Sequence, residues 1–378
     1  MLDGAGGTQV PEAVIEAVAG GFREAMSNLG GAFEASERTG AVVAEARRAV
    51  ADLVGGRPED VVLGPNMTTL TFHLADALSA DWREGDEVVV SSLDHDANVR
   101  PWVLAAADAG ATVRWAEMDT GTGELPVEAV DAVVGDRTRL VAVTAASNAI
   151  GTRPDVRAIA DRAHAHGALV YVDGVHSSPH VATDVGALGA DLYACSFYKL
   201  FGPHAGCVAA APELVERLTP RKLAPAPNVA PSRFERGTPA FEQLAGVTAA
   251  IDWIAALAET GGSRRERIVA AFEAIEERLA PLLERAVAGL GDIGGVRLLP
   301  APARRTPTLS FTVEGHAPRA VAEWLGRRSV SVWHGDYYAY ELMRRFDLPD
   351  GAVRASIVLY NDEDDVDRLV RGVAELAA

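Results

Sequence analysis

Short β-rich runs alternate with helical patterns through the middle of the chain, and this alternation limits the fold more than any other feature. The runs span residues 87–90, 140–143, 169–172, 192–195 and 207–210. Before the third run, apolar residues recur at the spacing of one helical face behind Asp155, a good N-cap residue: Val156, Ile159, Ala160 and Ala163. Strands joined by crossover helices predict an α/β fold with a mostly parallel sheet.

The last third of the chain has a different pattern. From about residue 241 to 290 it reads as helix, interrupted near Gly261 and Gly262, and we expect this stretch to link two domains. Beyond it, the pattern predicts two helices and three strands: helices at 318–328 and after Asn361, and strands at 308–311, 330–333 and 354–359. We therefore predict three parts: an N-terminal segment (1–20) packed near the functional site or the small domain, a large domain (21–255) and a small α+β domain (256–378).

Two charged residues follow neighbouring strands of the predicted sheet. Asp173 closes the run at 169–172, and Lys199 lies just beyond the run at 192–195. Open α/β sheets bind ligands at the carboxyl ends of their strands. Pyridoxal 5'-phosphate (PLP) needs a lysine to form an imine and a carboxylate to keep its pyridine nitrogen protonated. Taken singly, each residue has an ordinary explanation, because an aspartate after a strand is often a turn former and a lone lysine is usually solvated.

Composition excludes several classes of function. The chain has 35 Lys and Arg against 53 Asp and Glu, a net charge of -18 that disfavours nucleic acid and anionic membranes as partners. Its two cysteines, Cys195 and Cys207, are too few for a disulfide framework or a zinc cluster, so we expect no metal. Residues 1–11 lack the pattern of a signal peptide, and no apolar run reaches ~18 residues. We expect a cytoplasmic protein.

The stretches 171–176 and 191–204 resemble the fold-type I PLP enzymes of aminotransferase class V, in the cysteine desulfurase-like branch. The similarity extends from Leu2 to the C-terminal helix. It implies a large PLP-binding domain with a sheet of the seven-stranded type and a small α+β C-terminal domain. It also implies that Lys199 carries PLP as a Schiff base and that Asp173 is the partner of the pyridine nitrogen.

The resemblance assigns further residues to the cofactor. His176 and Asn148 match the groups that contact the phenolic oxygen of the ring, and His95 matches the histidine that stacks on the ring. By themselves, His176 could be a core histidine and Thr68 a simple helix cap. The phosphate would be held by the hydroxyls of Thr68 and Ser196 and by the backbone beside Met67. Thr238 matches the threonine that reaches the phosphate of the neighbouring subunit, which implies a homodimer.

Substrate residues follow from the same resemblance. Arg354 matches the arginine that binds the α-carboxylate of an amino acid substrate, a role suited to the two-pronged guanidinium. Tyr338 stands at or next to the position of the sulfur-accepting loop cysteine of desulfurases. Tyr198 replaces the histidine that usually precedes the lysine. Cys195 and Cys207 lie in predicted strands, where small buried side chains are the simpler interpretation.

We therefore expect a carbon–sulfur lyase acting on cysteine or a cysteine S-conjugate, through a Lys199 aldimine and a quinonoid, without the usual loop persulfide cysteine. A class V aminotransferase or epimerase is the alternative, because these reactions branch from closely related intermediates. A non-catalytic scaffold with this fold is a hypothesis of another class. A scaffold would need none of the four residues that this chain retains, and their presence argues against that hypothesis. These residues are Lys199, Asp173, His95 and Arg354.

Overall fold

The computed structural model describes residues 1–378, which form thirteen α-helices and eleven strands. The helices are α1 (Glu12–Glu24), α2 (Glu34–Val54), α3 (Met67–Leu78), α4 (Arg100–Ala109), α5 (Val127–Asp131), α6 (Val156–Ala165), α7 (Val185–Leu188), α8 (Pro212–Arg217), α9 (Phe241–Ala255), α10 (Arg264–Gly291), α11 (Pro318–Gly326), α12 (Tyr340–Arg345) and α13 (Glu363–Ala377). The strands are β1 (Val61–Gly64), β2 (Glu87–Ser91), β3 (Thr112–Ala116), β4 (Thr138–Thr144), β5 (Leu169–Asp173), β6 (Leu192–Ser196), β7 (Gly206–Ala210), β8 (Val296–Leu298), β9 (Thr308–Val313), β10 (Trp333–Gly335) and β11 (Ala352–Ser356).

The large sheet has seven strands in the order β1-β7-β6-β5-β4-β2-β3. Five neighbouring strands are parallel, namely β3, β2, β4, β5 and β6, whereas β7 runs antiparallel to both β6 and β1. This confirms the predicted mostly parallel seven-stranded sheet. The parallel arrangement brings the carboxyl ends of β4, β5 and β6 to one edge.

Both faces of the large sheet are buried. Alternate residues of each strand enter different clusters, as Val141 and Val143 pack on one face while Leu140 and Ala142 pack on the other. The first face is covered by α2, α6, α9 and α10, and the second by α3 and α4. Burial on both sides explains why the strands read as continuous apolar runs.

The second sheet is antiparallel, with the strand order β10-β11-β9-β8. The predicted strands at 308–311 and 354–359 match its central strands, β9 and β11, to within a few residues. The predicted strand at 330–333 corresponds to β10, which begins at Trp333 instead of residue 330. The reason is that the carbonyl of Ser331 accepts the N–H of Leu2 (2.9 Å) rather than joining the ladder. Similarly, β11 ends at Ser356 because the chain then turns, and the Val358 N–H donates to Oδ1 of Asn361 (2.9 Å).

The N-terminal segment connects the two sheets. Its Asp3 forms a parallel bridge with Ser356 of β11, and the N–H of Thr8 donates to the carbonyl of Tyr198 (3.0 Å), next to Lys199. No helix of the structure is both long enough and apolar enough to cross a membrane.

Candidate active site

A cavity of about 670 Å³ lies at the carboxyl ends of β4, β5 and β6. The sheet register places Thr144 beside Asp173 and Asp173 beside Ala194, so the ends of these strands form one floor. Eight of the eleven site residues predicted from the sequence line this cavity: Met67, Thr68, His95, Asn148, Asp173, His176, Ser196 and Lys199.

A second cavity of about 660 Å³ adjoins the first and shares Lys199, His95 and Asn148 with it. Arg354 and Tyr338 line this outer cavity. Thr238 lines neither cavity and is exposed on the single subunit. Its predicted role involves a neighbouring subunit and stays a prediction.

Lys199 lies in a single 3-10 turn, Phe197–Lys199, directly after β6, and only 6% of its surface is exposed. Burial lowers the pKa of Lys199 to about 8, with the positive charge of Arg354 acting in the same direction and the carboxylate of Asp173 opposing it. A lysine with this pKa is partly neutral near pH 8, and a neutral amine is the form that attacks carbonyls and accepts protons.

Asp173 is the last residue of β5, and burial raises its pKa to about 6 despite two stabilising contacts. These contacts are the N–H of Val175, which donates to Oδ1 (2.9 Å), and the nearby ammonium of Lys199. The turn after Asp173 requires glycine, because a Cβ on Gly174 would come within 1.9 Å of the Tyr193 ring. A close backbone approach thus places a buried carboxylate at the cavity floor.

His95 forms one wall of the cavity. Burial lowers the pKa of His95 to about 3, with added repulsion from Lys199 and Arg354, so the ring is neutral. Its Nδ1 accepts the N–H of Ala97 (3.0 Å), which leaves the proton on Nε2. The exposed ring of Tyr338 stacks against it at a centroid distance of 5.5 Å.

His176 is buried at the opposite side of the same cavity. Its Nε2 lies 3.1 Å from the hydroxyls of both Thr306 and Thr308, while its Nδ1 has no partner. Burial keeps the pKa of His176 well below its usual value, so the ring is neutral. The two hydroxyls occupy Nε2, so Nδ1 is the ring nitrogen left to contact a ligand. Oδ1 of Asn148 is a second buried atom without a partner.

The start of α3 forms the end of the inner cavity. Asn66 caps the helix by accepting the N–H of Thr69 (2.8 Å), and Oγ of Ser196 accepts the N–H of Met67 (2.9 Å). The N–H and hydroxyl of the exposed Thr68 remain available for an anion. Gly206 packs tightly behind this turn, since a Cβ there would lie 2.6 Å from the backbone of Asn66.

Arg354 comes from β11 of the second sheet and is only 4% exposed. Its Nη1 donates to the carbonyl of Asn148 (2.9 Å), its guanidinium lies 4.6 Å from the centre of the Tyr337 ring, and its Nε has no partner. Burial lowers the pKa of Arg354 to about 10. A buried guanidinium without a carboxylate partner is suited to an anionic ligand.

Three further residues lie in or beside the site and were assigned no role from the sequence. Asp94, beside His95, is fully buried, and burial raises its pKa to about 8. Tyr198 stacks on His204 at 5.3 Å, and both line the inner cavity. The motif around His95 contained a signal for Asp94, because it is the first acid of Asp94-His95-Asp96. No local signal indicated the threonines that hold His176.

Comparisons with known proteins agree with this geometry. The family model for aminotransferase class V matches residues 1–369. An uncharacterized protein of Mycobacterium tuberculosis is 34% identical over 378 residues, which cover 99% of this chain and 94% of that protein. A probable cysteine desulfurase of Pseudomonas aeruginosa is 34% identical, with 97% of this chain and 91% of that protein covered.

Solved structures show the same relationship. An apo cysteine desulfurase from Thermococcus onnurineus superposes with a TM-score of 0.90 at 26% identity and covers 100% of this chain and 94% of its own. A cysteine desulfurase from Escherichia coli superposes with a TM-score of 0.86 at 27% identity, covering 99% and 93%. The chain is therefore a cysteine desulfurase-like member of the aminotransferase class-V family.

Proposed function

We propose that this protein is a PLP-dependent carbon–sulfur lyase that acts on cysteine or a cysteine S-conjugate without a protein persulfide. The observation that carries the proposal is the composition of the two joined cavities. They contain Lys199, Asp173 and Arg354, but no cysteine.

The residues of the inner cavity fit PLP. Lys199 would bind it covalently, Asp173 would face its pyridine nitrogen, and His95 would cover its ring. The buried Nδ1 of His176 has no protein partner and would form a hydrogen bond with the ring oxygen, next to Asn148. Thr68 and Ser196, at the start of α3, would hold the phosphate. When bound, PLP supplies an electron-accepting ring that makes loss of the substrate Cα proton easier.

The protein groups around the substrate have distinct tasks. Arg354 would bind the α-carboxylate and fix the orientation of the amino acid. The Nζ of Lys199, with its lowered pKa, would accept the Cα proton. The neutral His95 and the stacked Tyr338 would exclude water from the reacting face.

The two cysteines are poorly suited to accept sulfur. Cys195 and Cys207 pair across β6 and β7 with their sulfurs 3.3 Å apart, and both are fully buried in the apolar core. The pKa of the Cys207 thiol lies well above its usual value, because of its contact with Cys195 and of burial. The thiolate is the reactive form, which disfavours Cys207, and complete burial keeps a substrate away from the sulfur of Cys195.

We expect that a cysteine S-conjugate plus water will yield the thiol, pyruvate and ammonia in equal amounts. Loss of the Cα proton and departure of the thiolate from Cβ require no sulfur acceptor, and hydrolysis of the remaining aminoacrylate gives pyruvate and ammonia. Turnover in the double variant Cys195→Ala/Cys207→Ala should stay within about threefold of wild type, because neither thiol takes part. Coupled assays of thiol and pyruvate measure this outcome.

Mass spectrometry during turnover provides the complementary measurement. A persulfide on either cysteine, or loss of sulfur release in a folded double variant, would contradict the mechanism. Formation of a keto acid that retains the thioether, together with the aminated cofactor, would instead identify an aminotransferase.

We also propose a homodimer with active sites completed across the interface. Large apolar side chains are exposed on the single subunit at the end of α1 and in the segment after it: Phe22, Met26, Leu29 and Phe33. A second copy of the chain would cover such a surface. The exposed Thr238 would then reach the phosphate bound by the other subunit.

Sedimentation should show a dimer at all concentrations at which the enzyme is active. We expect Thr238→Ala to remain dimeric but to weaken PLP binding about tenfold or more, the effect of losing one hydrogen bond to a charged group. Thr122→Ala, at another exposed threonine, is the matched control and should bind PLP normally. An active monomer, or unchanged PLP affinity in Thr238→Ala, would exclude the shared site.

A further inference from the structure

A third cavity, of about 530 Å³, shares no residue with the two cavities of the proposed active site. It lies between α10 and the segment before β9, residues 301–307. Helix α10 contributes an apolar row to one wall, with Leu279, Leu283 and Val287, and also both glutamates of the lining. The opposite side carries the cations Arg153, Arg304 and Arg305.

Arg305 is the most informative residue of this cavity. Its Nη2 is buried without any hydrogen-bond partner, and its side chain takes part in no ion pair. Burial lowers the pKa of Arg305, as it does for Arg354, whereas ion pairs raise the pKa of Arg264 and Arg345. The guanidinium of Arg305 is half-buried, and its solvent-shielded Nη2, which lacks a carboxylate partner, is costly unless an anion binds it. Arg305 thus resembles Arg354, the proposed carboxylate-binding residue.

His180 provides a second, independent observation. It lines the cavity and is only 2% exposed, and neither of its ring nitrogens has a partner. Burial lowers the pKa of His180 to about 3, so the ring is neutral and offers one N–H donor and one acceptor. Buried polar atoms are normally satisfied, and a ligand in the cavity would satisfy them.

The charges of the lining select the class of ligand. Three arginines face two glutamates, and one of these, Glu276, is already paired with Arg153 (2.6 Å). The other, Glu284, is exposed. The remaining charge is one positive unit, which suits a monoanion better than a phosphate dianion. The apolar wall of α10 suits an aliphatic group.

We propose that this cavity binds a small aliphatic monocarboxylate, with its carboxylate on Arg305 and His180 and its hydrocarbon part on α10. The site is separate from that of the proposed amino acid substrate. It is nevertheless adjacent to it, because the ring of His180 lies 5.4 Å from that of His176, which lines the inner cavity.

Calorimetric titration of the PLP-loaded dimer with sodium isobutyrate tests this proposal. The protein should carry Arg354→Gln, so that the proposed substrate site contributes no carboxylate binding. We expect saturable binding of isobutyrate, at least tenfold weaker binding of neutral isobutyramide, and weaker binding of inorganic phosphate. Adding Arg305→Gln should weaken isobutyrate binding at least tenfold, whereas Arg319→Gln, at an exposed arginine on α11, should have no effect.

Two further measurements distinguish a ligand site from a structural role. Val287→Phe keeps Arg305 but narrows the apolar wall, and it should also weaken isobutyrate binding. Arg305→Gln without ligand should melt at the same temperature as its parent or higher, since no internal partner is lost. Absence of isobutyrate binding, equal binding in the Arg305→Gln protein, or a large fall in its melting temperature would overturn the proposal.

Discussion

Replacing Lys199 with alanine is expected to reduce thiol release from a cysteine S-conjugate by about 10⁴-fold or more, because the proposed mechanism assigns to this one residue both the covalent bond to the cofactor and the transfer of the substrate proton. The chain offers an unusually clean test, since it contains only two lysines, Lys199 and Lys222. Lys199 is buried between the two joined cavities, whereas the Lys222 ammonium donates to the carbonyl of Ala226 (2.9 Å) outside them.

Lys222→Ala is therefore the matched control and should retain wild-type turnover. Borohydride treatment of the wild-type holoenzyme should fix the cofactor on the peptide that contains Lys199, as peptide mapping would show. The Lys199→Ala protein should lack this covalent adduct and its visible absorption band. Attachment at Lys222, or failure of the wild-type protein to take up PLP, would refute the central proposal, whatever the substrate.

Local patterns in the sequence predicted five of the seven strands of the large sheet, whereas the family resemblance supplied the seven-stranded type and most of the residues that line the inner cavity. Strands buried on both faces appear in the sequence as apolar runs, and the candidate residues Asp173 and Lys199 stand at the carboxyl ends of two of them. In the structure, β5 and β6 are neighbours in the sheet, so these two ends lie side by side.

The rest of the site depends on contacts between distant parts of the chain. Thr306 and Thr308 hold His176 from 130 and 132 residues away, and nothing in their own surroundings indicates this contact. Burial is equally non-local: Arg304 and Arg305 are neighbours in sequence, but Arg304 is exposed, whereas Arg305 is half-buried and its Nη2 is shielded from solvent without a partner. The third cavity could therefore not be predicted from the sequence.

Burial of Asp173 also affects the stability of the apoprotein, in a direction opposed to its proposed role toward the cofactor. Burial raises its pKa from 3.8 to about 6, so the folded apoprotein holds this proton more tightly than the unfolded chain does. This stabilises the folded apoprotein below about pH 4, and the stabilisation is lost as the pH rises through about 6. At neutral pH the fold therefore carries a buried, ionised carboxylate, which we propose serves the cofactor.

Asp173→Asn is consequently expected to lower activity and raise the stability of the apoprotein. Loss of the carboxylate that we propose keeps the pyridine nitrogen protonated should reduce turnover by about 10²-fold or more. Urea unfolding of the two apoproteins should show the asparagine variant more stable by about 1 to 3 kcal/mol near pH 7.5, because an amide needs no charge buried. The difference should shrink toward about pH 5 as Asp173 becomes protonated in the wild-type protein. Asp336→Asn, at the mouth of the outer cavity, is the control and should produce no such pH-dependent gain. An asparagine variant that is less stable at neutral pH, or a gain that does not depend on pH, would show that Asp173 is a structural residue and would remove the argument that its buried charge serves the cofactor.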